Sequence, residues 1–332
     1  MILHITHTLG GGTQKYIDDI IHLFPNEQHK IINKAPFEIT NIDKLKLVHI
    51  HATMFGYHIG WHVLTLIEHL KRNNIPVYLT IHDYQWLFTE NPAPTTEEFN
   101  TLVPKEEDVN KCTKLLQLVD KIICPSESVY MNYKRVLGDV PDNKTFVISH
   151  CDIELCHEQL RVPKIHTNIN IAFIGLPSIY KGIRQFFQLS KVMPKYYDKE
   201  ITYHLYGGSN IMEASNVIEH GSYNNDTLIE QLHNDNIHIV LSISIAEETY
   251  CYSLSQLINS GIPLVYFNRG ALKTRLPKKD KYFPVNGISI LDLQNQIVNA
   301  IRYCMTEPHM NYKTIGNDVK LNDFYRDNYI SS

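Results

Sequence analysis

No stretch of the 332-residue chain approaches the roughly 18 uninterrupted apolar residues of a membrane-spanning helix. The first residues have neither a cationic start nor the apolar core of a secretory signal. The expectation is a cytoplasmic protein with no transmembrane segment. Basic excess is also missing: 31 Lys and Arg stand against 35 Asp and Glu, a net charge of −4, which disfavours nucleic acid as a partner. Cysteines number only six and are irregularly spaced, which excludes a disulfide framework and predicts reduced thiols. The glycines form neither a dinucleotide fingerprint nor a phosphate-binding P-loop. His58 and His62 lie four apart, but no glutamate follows His58, so the zinc-protease pattern is missing. His150-Cys151 and Cys156-His157 match no common zinc module, so no metal is expected there.

What is present is an ordinary apolar content over a length that predicts a soluble globular protein of about two domains. The most informative stretch runs from Glu247 to Val265. Ile239 to Ile245 reads as a buried strand, Leu254, Leu257 and Ile258 recur at helical spacing, Gly261 stops the helix, and Ile262 to Val265 is strand again. Glu248 falls in the strand-to-helix loop. The N–H groups of about Cys251 to Ser253 open the helix without intrahelical acceptors and can hold an anion. A carboxylate beside a phosphate cradle suits a sugar phosphate.

From the N-terminus, a strand at Ile2 to Thr6 runs into Gly10-Gly11-Gly12, where the backbone can approach a ligand closely. Thr13 can cap the next helix, whose inner face carries Ile17, Ile20 and Ile21. Strands at Leu47 to His51 and Val77 to Ile81 flank a helix at Trp61 to Leu70, and His82 follows the second strand, where a parallel sheet faces its ligand crevice. Residues 89 to 110, rich in proline and acids, read as a polar insertion. Lys121 to Cys124 and Thr145 to Ser149 are further strands, and about Glu154 to Thr167 is a linker. A second α/β set opens with Ile169 to Ile174, Gly175 and Lys181, the lysine being placed to neutralise a diphosphate. Thr202 to Tyr206 and Val217 to His220 follow, and Tyr223 can either stack a base or serve packing. Lys273, Arg275, Lys278, Lys279 and Lys281 read as a solvated loop. Residues 1 to 160 hold 14 basic and 20 acidic side chains, residues 161 to 332 hold 17 and 15, and the change of sign follows the domain reading.

The stretch from Glu248 to Gln256, with Gly11-Gly12, His82-Asp83-Tyr84, Lys181-Gly182 and Asn268-Arg269-Gly270-Ala271-Leu272, resembles the motifs of GT4-type retaining glycosyltransferases. The resemblance covers nearly the whole chain. It implies a GT-B fold, two Rossmann-like doubly wound α/β domains facing across a cleft. Residues 1–155 would serve the acceptor, 165–308 the nucleotide-sugar donor, and 309–332 would form a helix crossing back. It further implies transfer of a sugar, with its anomer retained, from a nucleoside diphosphate sugar to a hydroxyl of a glycan, lipid-linked or protein acceptor. His82 and Glu248 would be catalytic. Gly11, Gly12, Thr13, Gly175, Lys181, Tyr223, Tyr252, Ser253 and Gln256 would bind the donor. No Asp-x-Asp pair occurs, so no cofactor or metal is expected, and Lys181 with helix N-termini would hold the leaving diphosphate. Two positions depart from the pattern: Gln256 stands where the family has a second glutamate, and Leu176 where it has an arginine. They keep open a non-catalytic nucleotide-sugar binder or scaffold, and a same-fold epimerase is a third reading.

Overall fold

The structure, a computed structural model, describes residues 1–7, 11–33, 42–52, 61–88, 90–91, 93–150, 163–209, 214–276, 278–306 and 324. The chain divides into two compact units, Met1–Asp152 with Asn317–Ser332, and Ile153–Gly316. The expected returning helix over 309–332 and most of the expected linker lie outside the described residues. Phe324 is the exception, its ring 4.8 Å from that of Phe146.

The first unit alternates strands and helices: β1 (Ile2–Ile5), α1 (Gly11–Leu23), β2 (His29–Ile32), β3 (Leu47–Ile50), α2 (Trp61–Arg72), β4 (Val77–Thr80), α3 (Thr96–Thr101), α4 (Glu106–Leu118), β5 (Lys121–Cys124), α5 (Glu127–Leu137) and β6 (Thr145–Val147). Its six strands are all parallel, in the order β2-β1-β3-β4-β5-β6. Every residue of β1, β3 and β4 is buried, as expected of strands with helices on both faces. The polar exceptions include two histidines, His4 and His49, which are register neighbours with no exposed surface.

Residues 89 to 110 are not simply a polar insertion. Thr95 caps α3 with its side chain on the Glu98 N–H while the Glu98 carboxylate accepts from the Thr95 N–H, and α4 opens on Glu106, Glu107 and Asp108. Acids at that end favour a helix, because they face the positive pole of its dipole. Thr13 is not the cap of α1 either. The helix already begins at Gly11, whose φ of +70° suits glycine, and Thr13 lies buried in its first turn.

The second unit contains β7 (Asn168–Ile174), α6 (Ile183–Val192), β8 (Lys195–Tyr196), β9 (Lys199–Tyr206), β10 (Val217–Gly221), α7 (Asn225–Asn234), β11 (Ile239–Ser242), α8 (Tyr252–Ser260), β12 (Leu264–Phe267), α9 (Gly270–Arg275), β13 (Tyr282–Val285) and α10 (Ile290–Thr306). Six strands run parallel in the order β10-β9-β7-β11-β12-β13, and short β8 pairs antiparallel with β9. This is the doubly wound order of a nucleotide-binding sheet. The chain reverses direction of winding between β7 and β11, and the crevice beyond their carboxyl ends is where such sheets bind ligands.

Strand β11 stops at Ser242, three residues short of the expected end. The Ile245 N–H donates to the Tyr180 carbonyl at 2.8 Å, which draws the chain out of the sheet and toward the loop after β7. Lys281 departs from the expected solvated loop as well, being only 5% exposed.

Candidate functional site

At the switch point of the second sheet, Lys181 and Glu248 meet. Lys181 comes from the loop after β7 and Glu248 from the loop after β11, and Lys181 Nζ lies 2.6 Å from Glu248 Oε1. Ser244 Oγ is 2.7 Å from the same carboxylate oxygen and 2.9 Å from the Tyr180 carbonyl, two acceptors for its single proton. Burial alone would lower the pKa of the Lys181 ammonium. The Glu248 carboxylate, together with Cys251 and Tyr223, more than offsets that and raises it. Lys181 is therefore a cation at every physiological pH, with about a third of its side chain still exposed.

The loop that carries Glu248 is clamped from beneath. The Ala271 N–H donates to the Glu248 carbonyl at 2.7 Å, and Arg269 Nη1 to the Ile245 carbonyl at 3.0 Å. Gly270 has φ +48°, and a Cβ placed there would lie 2.6 Å from the Glu248 nitrogen, so only glycine fits. Gly182 and Gly207 are similarly constrained, since a Cβ on either would lie within 2.2 Å of the Ile243 or Gly175 carbonyl oxygen. Three close backbone approaches thus fix the loops around the pair.

Helix α8 begins beside them. Cys251 precedes it with φ +67°, unusual for a residue with a side chain, and makes no capping hydrogen bond from that side chain to the helix. The Leu254 N–H turns back onto the Cys251 carbonyl at 3.0 Å, and this end of α8 carries the positive pole of the helix dipole. Ser253 reaches Cys251 Sγ at 3.3 Å, and a Cβ on Gly175 would stand 3.9 Å from Ser253 Oγ. Gly175, Lys181, Glu248 and Ser253 therefore share one end of the sheet. Tyr223 is half-buried, and both Cys251 and Lys181 act on its hydroxyl, which burial raises in pKa. The Tyr252 ring meets Tyr250 edge-on at 5.0 Å. Gln256 lies half-buried in the second turn of α8. Arg275 holds the start of the helix, donating to the Tyr250 carbonyl at 2.7 Å, the Cys251 carbonyl at 3.0 Å and Ser255 Oγ at 2.7 Å. Leu176, where the resemblance lacks its arginine, is 72% exposed.

In the first unit His82 is half-buried just beyond β4, 3.3 Å from His51 Nδ1 through its Nε2, with its ring edge-on to Tyr16 at 5.2 Å. Burial and the nearby His7 lower its pKa to about 3, so it is neutral. Next to it, burial raises the Asp83 carboxyl to about 6 despite a 2.9 Å hydrogen bond from the Gln85 N–H. Gly11 and Gly12 open α1 in this unit, and the residues of the glycine-rich loop before them are outside the described set.

Sequence reasoning missed Ser244, named Arg269 only as part of a turn motif and read Arg275 as part of a solvated loop, whereas Arg275 ends α9; their contacts join distant loops and no spacing encodes them. It also missed the histidines behind His82. His51 and His4 join through Nε2 and Nδ1 at 3.0 Å, His4 Nε2 and His29 Nδ1 at 3.0 Å, and His29 Nε2 reaches the Phe24 carbonyl at 3.1 Å. The alternating histidines of Val48-His49-Ile50-His51 were a visible signal. Among the described residues two groups have the spacing of metal ligands: His4, His49 and His51, and His204, His220 and Asp235. In the first, both ring nitrogens of His4 are already engaged with other rings. In the second, Asp235 also accepts from the Tyr206 hydroxyl at 2.5 Å. The four described cysteines with assigned state, Cys112, Cys124, Cys251 and Cys304, are free thiols.

No protein-family model matches the chain, and no curated protein matches it significantly in sequence. Solved structures do match. HepE of Anabaena, in complex with UDP and glucose, is 13% identical, with a TM-score of 0.64 over 100% of this chain and 99% of its own. The lipopolysaccharide outer core galactosyltransferase WaaB is 11% identical with a TM-score of 0.61 over 98% of both chains. WaaG, a glycosyltransferase of lipopolysaccharide biosynthesis, is 9% identical with a TM-score of 0.59 over 100% of both. The chain has the GT-B fold of these structures, with two Rossmann-like units. No helix among the described residues is long and apolar enough to cross a membrane.

Proposed function

We propose that this protein is a glycosyltransferase that takes a sugar from a nucleoside diphosphate sugar and passes it to a hydroxyl. The observation that carries the reading is the Lys181–Glu248 pair at the switch point of the second sheet, beside the N-terminus of α8. That end of the sheet presents a permanent cation and the positive pole of the α8 dipole for a diphosphate, and a carboxylate for sugar hydroxyls. HepE, of the same fold, is found with UDP and with UDP-glucose, which makes uridine nucleotides the first donors to try.

In the finer reading the enzyme is GT4-like, retains the anomer and needs no metal. Lys181 and the α8 N-terminus supply the positive charge that a divalent ion supplies elsewhere. Gly11, Gly12 and Thr13 would serve the donor from the first unit, and Gly175, Tyr223, Tyr252, Ser253 and Gln256 from the second. His82 would contact the transferred sugar while Glu248 holds its hydroxyls. Residues 1–155 would face the acceptor, 165–308 the donor, and 309–332 would return to the first unit. A cytoplasmic site of action fits the use of a nucleotide sugar.

A second reading, a nucleotide-sugar binder without turnover, is favoured by Gln256 and by the apolar, exposed Leu176. Incubation with UDP-sugars, with and without EDTA, and measurement of released UDP separates the two. Release that survives EDTA is expected, and His82→Ala should lower it more than it lowers nucleotide affinity. Binding without release, to acceptor or to water, would leave the binder. Absence of binding to any nucleoside diphosphate sugar would overturn both.

A further inference from the structure

Behind His82 the first unit contains a continuous line of imidazoles, and one end of that line has chemistry that permits only one arrangement of protons. His29 Nε2 lies 3.1 Å from the Phe24 carbonyl, which can only accept a hydrogen bond. His29 therefore carries its proton on Nε2, and its neutral ring has only a lone pair on Nδ1. That lone pair faces His4 Nε2 at 3.0 Å, so His4 must donate from Nε2 and accept on Nδ1. His4 Nδ1 in turn faces His51 Nε2 at 3.0 Å, and His51 Nδ1 faces His82 Nε2 at 3.3 Å. The same logic repeats at each junction, because a neutral imidazole has one donor and one acceptor.

We propose that His29, His4 and His51 are positioning residues that set the tautomer of His82, holding its proton on Nε2 and leaving Nδ1 as a hydrogen-bond acceptor. The inference rests on the reading that His82 meets the transferred sugar. It adds that His82 acts there as an acceptor for a sugar hydroxyl, not as a donor to a ring or phosphate oxygen.

The surroundings favour neutral rings throughout. His4, His49 and His51 have no exposed surface, and burial followed by the neighbouring histidines lowers the pKa of each. His29, at the half-exposed end on edge strand β2, is also lowered by burial, with Glu27 pulling upward and the N-terminal amine downward. A side branch agrees with the main line. His49 Nε2 is 2.7 Å from Thr80 Oγ1, which lies 3.4 Å from the Tyr16 hydroxyl, and a donor Nε2 on His49 is compatible with both contacts. Tyr16 closes the cluster on the other side, edge-on to His49, His51 and His82. A metal ion among His4, His49 and His51 would have to break the His4–His51 hydrogen bond, which gives the chain of rings and a metal site opposite signatures.

The test is imidazole nitrogen NMR on the full chain labelled with 15N-histidine, at neutral pH and without nucleotide, with signals assigned through single substitutions. His82, His51, His4 and His29 should all show protonated Nε2 and unprotonated Nδ1. His29→Leu removes the acceptor at the end of the line, and His82 should then shift toward a mixture of tautomers. His29→Asn restores an acceptor oxygen near the position of Nδ1 and should return His82 to the single form. A His82 ring protonated on Nδ1, or His82 signals unmoved by His29→Leu, would overturn the proposal. So would a change in these signals on adding EDTA, which would show the cluster held by a metal. Because no donor is present, these outcomes are independent of whether the protein binds UDP-sugars. Failure of sugar-nucleotide binding would remove the role of His82 and leave its tautomer as measured.

Discussion

Acidification should unfold the first unit well before it titrates most carboxylates. His4, His49 and His51 are fully buried and neutral, His4 with a pKa near 3. In the unfolded chain each would titrate near 6.5. Below that pH the unfolded state takes up protons that the native state refuses, so stability present at pH 7.5 is lost as pH falls. At pH 5 the loss is about 2 kcal/mol for each ring that stays neutral, or about 6 kcal/mol for the three. Asp83 works in the opposite direction. Its carboxyl, raised to about 6 by burial, takes up a proton in the native state and returns about 1.4 kcal/mol over the same interval. The net loss of about 4 to 5 kcal/mol is comparable with the whole stability of a small domain. His82 adds to it in the same direction. The chain has two tryptophans, Trp61 and Trp86, and both fall in the first unit, so fluorescence follows that unit alone. Urea unfolding should show a midpoint at pH 5 far below that at pH 7.5, with about three protons taken up on unfolding. An unchanged midpoint would refute the picture of buried neutral rings.

At the proposed donor site, Lys181→Ala should weaken nucleoside diphosphate binding at least tenfold by calorimetry, since a charge-assisted bond contributes about 1.5 to 3 kcal/mol; unchanged affinity would remove Lys181 from the site. Gln256→Glu should tighten binding by about 1 kcal/mol if the ribose hydroxyls donate to that side chain, because a carboxylate is the stronger acceptor. Weaker binding in that variant would place the ribose elsewhere. Gly270→Ala puts a methyl against the Glu248 backbone at a φ of +48°. It should lower the melting stability of the second unit by about 1 to 3 kcal/mol and reduce nucleotide-sugar affinity together with it; wild-type behaviour in both assays would mean the loop has other freedom.

Much of the second unit was legible because its signals are local. The run from Ile239, the Glu248 loop, the leucines of α8 and the Gly261 stop each follow from spacing within one segment, and the helix begins at Tyr252 as that spacing requires. The end of β11 was misplaced because Ile243 and Ile245 continue the apolar run, whereas the Tyr180 carbonyl that draws the chain away belongs to a distant loop. Strand β2 went unread because three of its four residues are not fully buried, leaving no apolar pattern to see. Helix α4 was hidden by Pro104 and three acids that resemble a loop until their place at a helix N-terminus is known. The histidine line was the least legible feature. Each ring alone looks like an isolated core histidine, and only the pairing of β1 with β2 and β3 brings His4 within reach of His29 and His51.

The Lys181–Glu248 contact has a bearing on how the two forms of a nucleotide would be told apart. With no ligand the pair satisfies itself, and the Glu248 side chain is only 13% exposed. A diphosphate that claimed Lys181 would take away that partner and leave the carboxylate, among the described residues, with Ser244 as its side-chain donor. In the proposed function an intact donor would compensate at once, because its sugar would bring hydroxyls to Glu248 as its phosphates take Lys181. The nucleoside diphosphate left after transfer brings none. Under the proposed function, closure of the lysine back onto the glutamate would then compete with the spent nucleotide for the same ammonium, and the contact would act as an ejector that favours loaded donor over product.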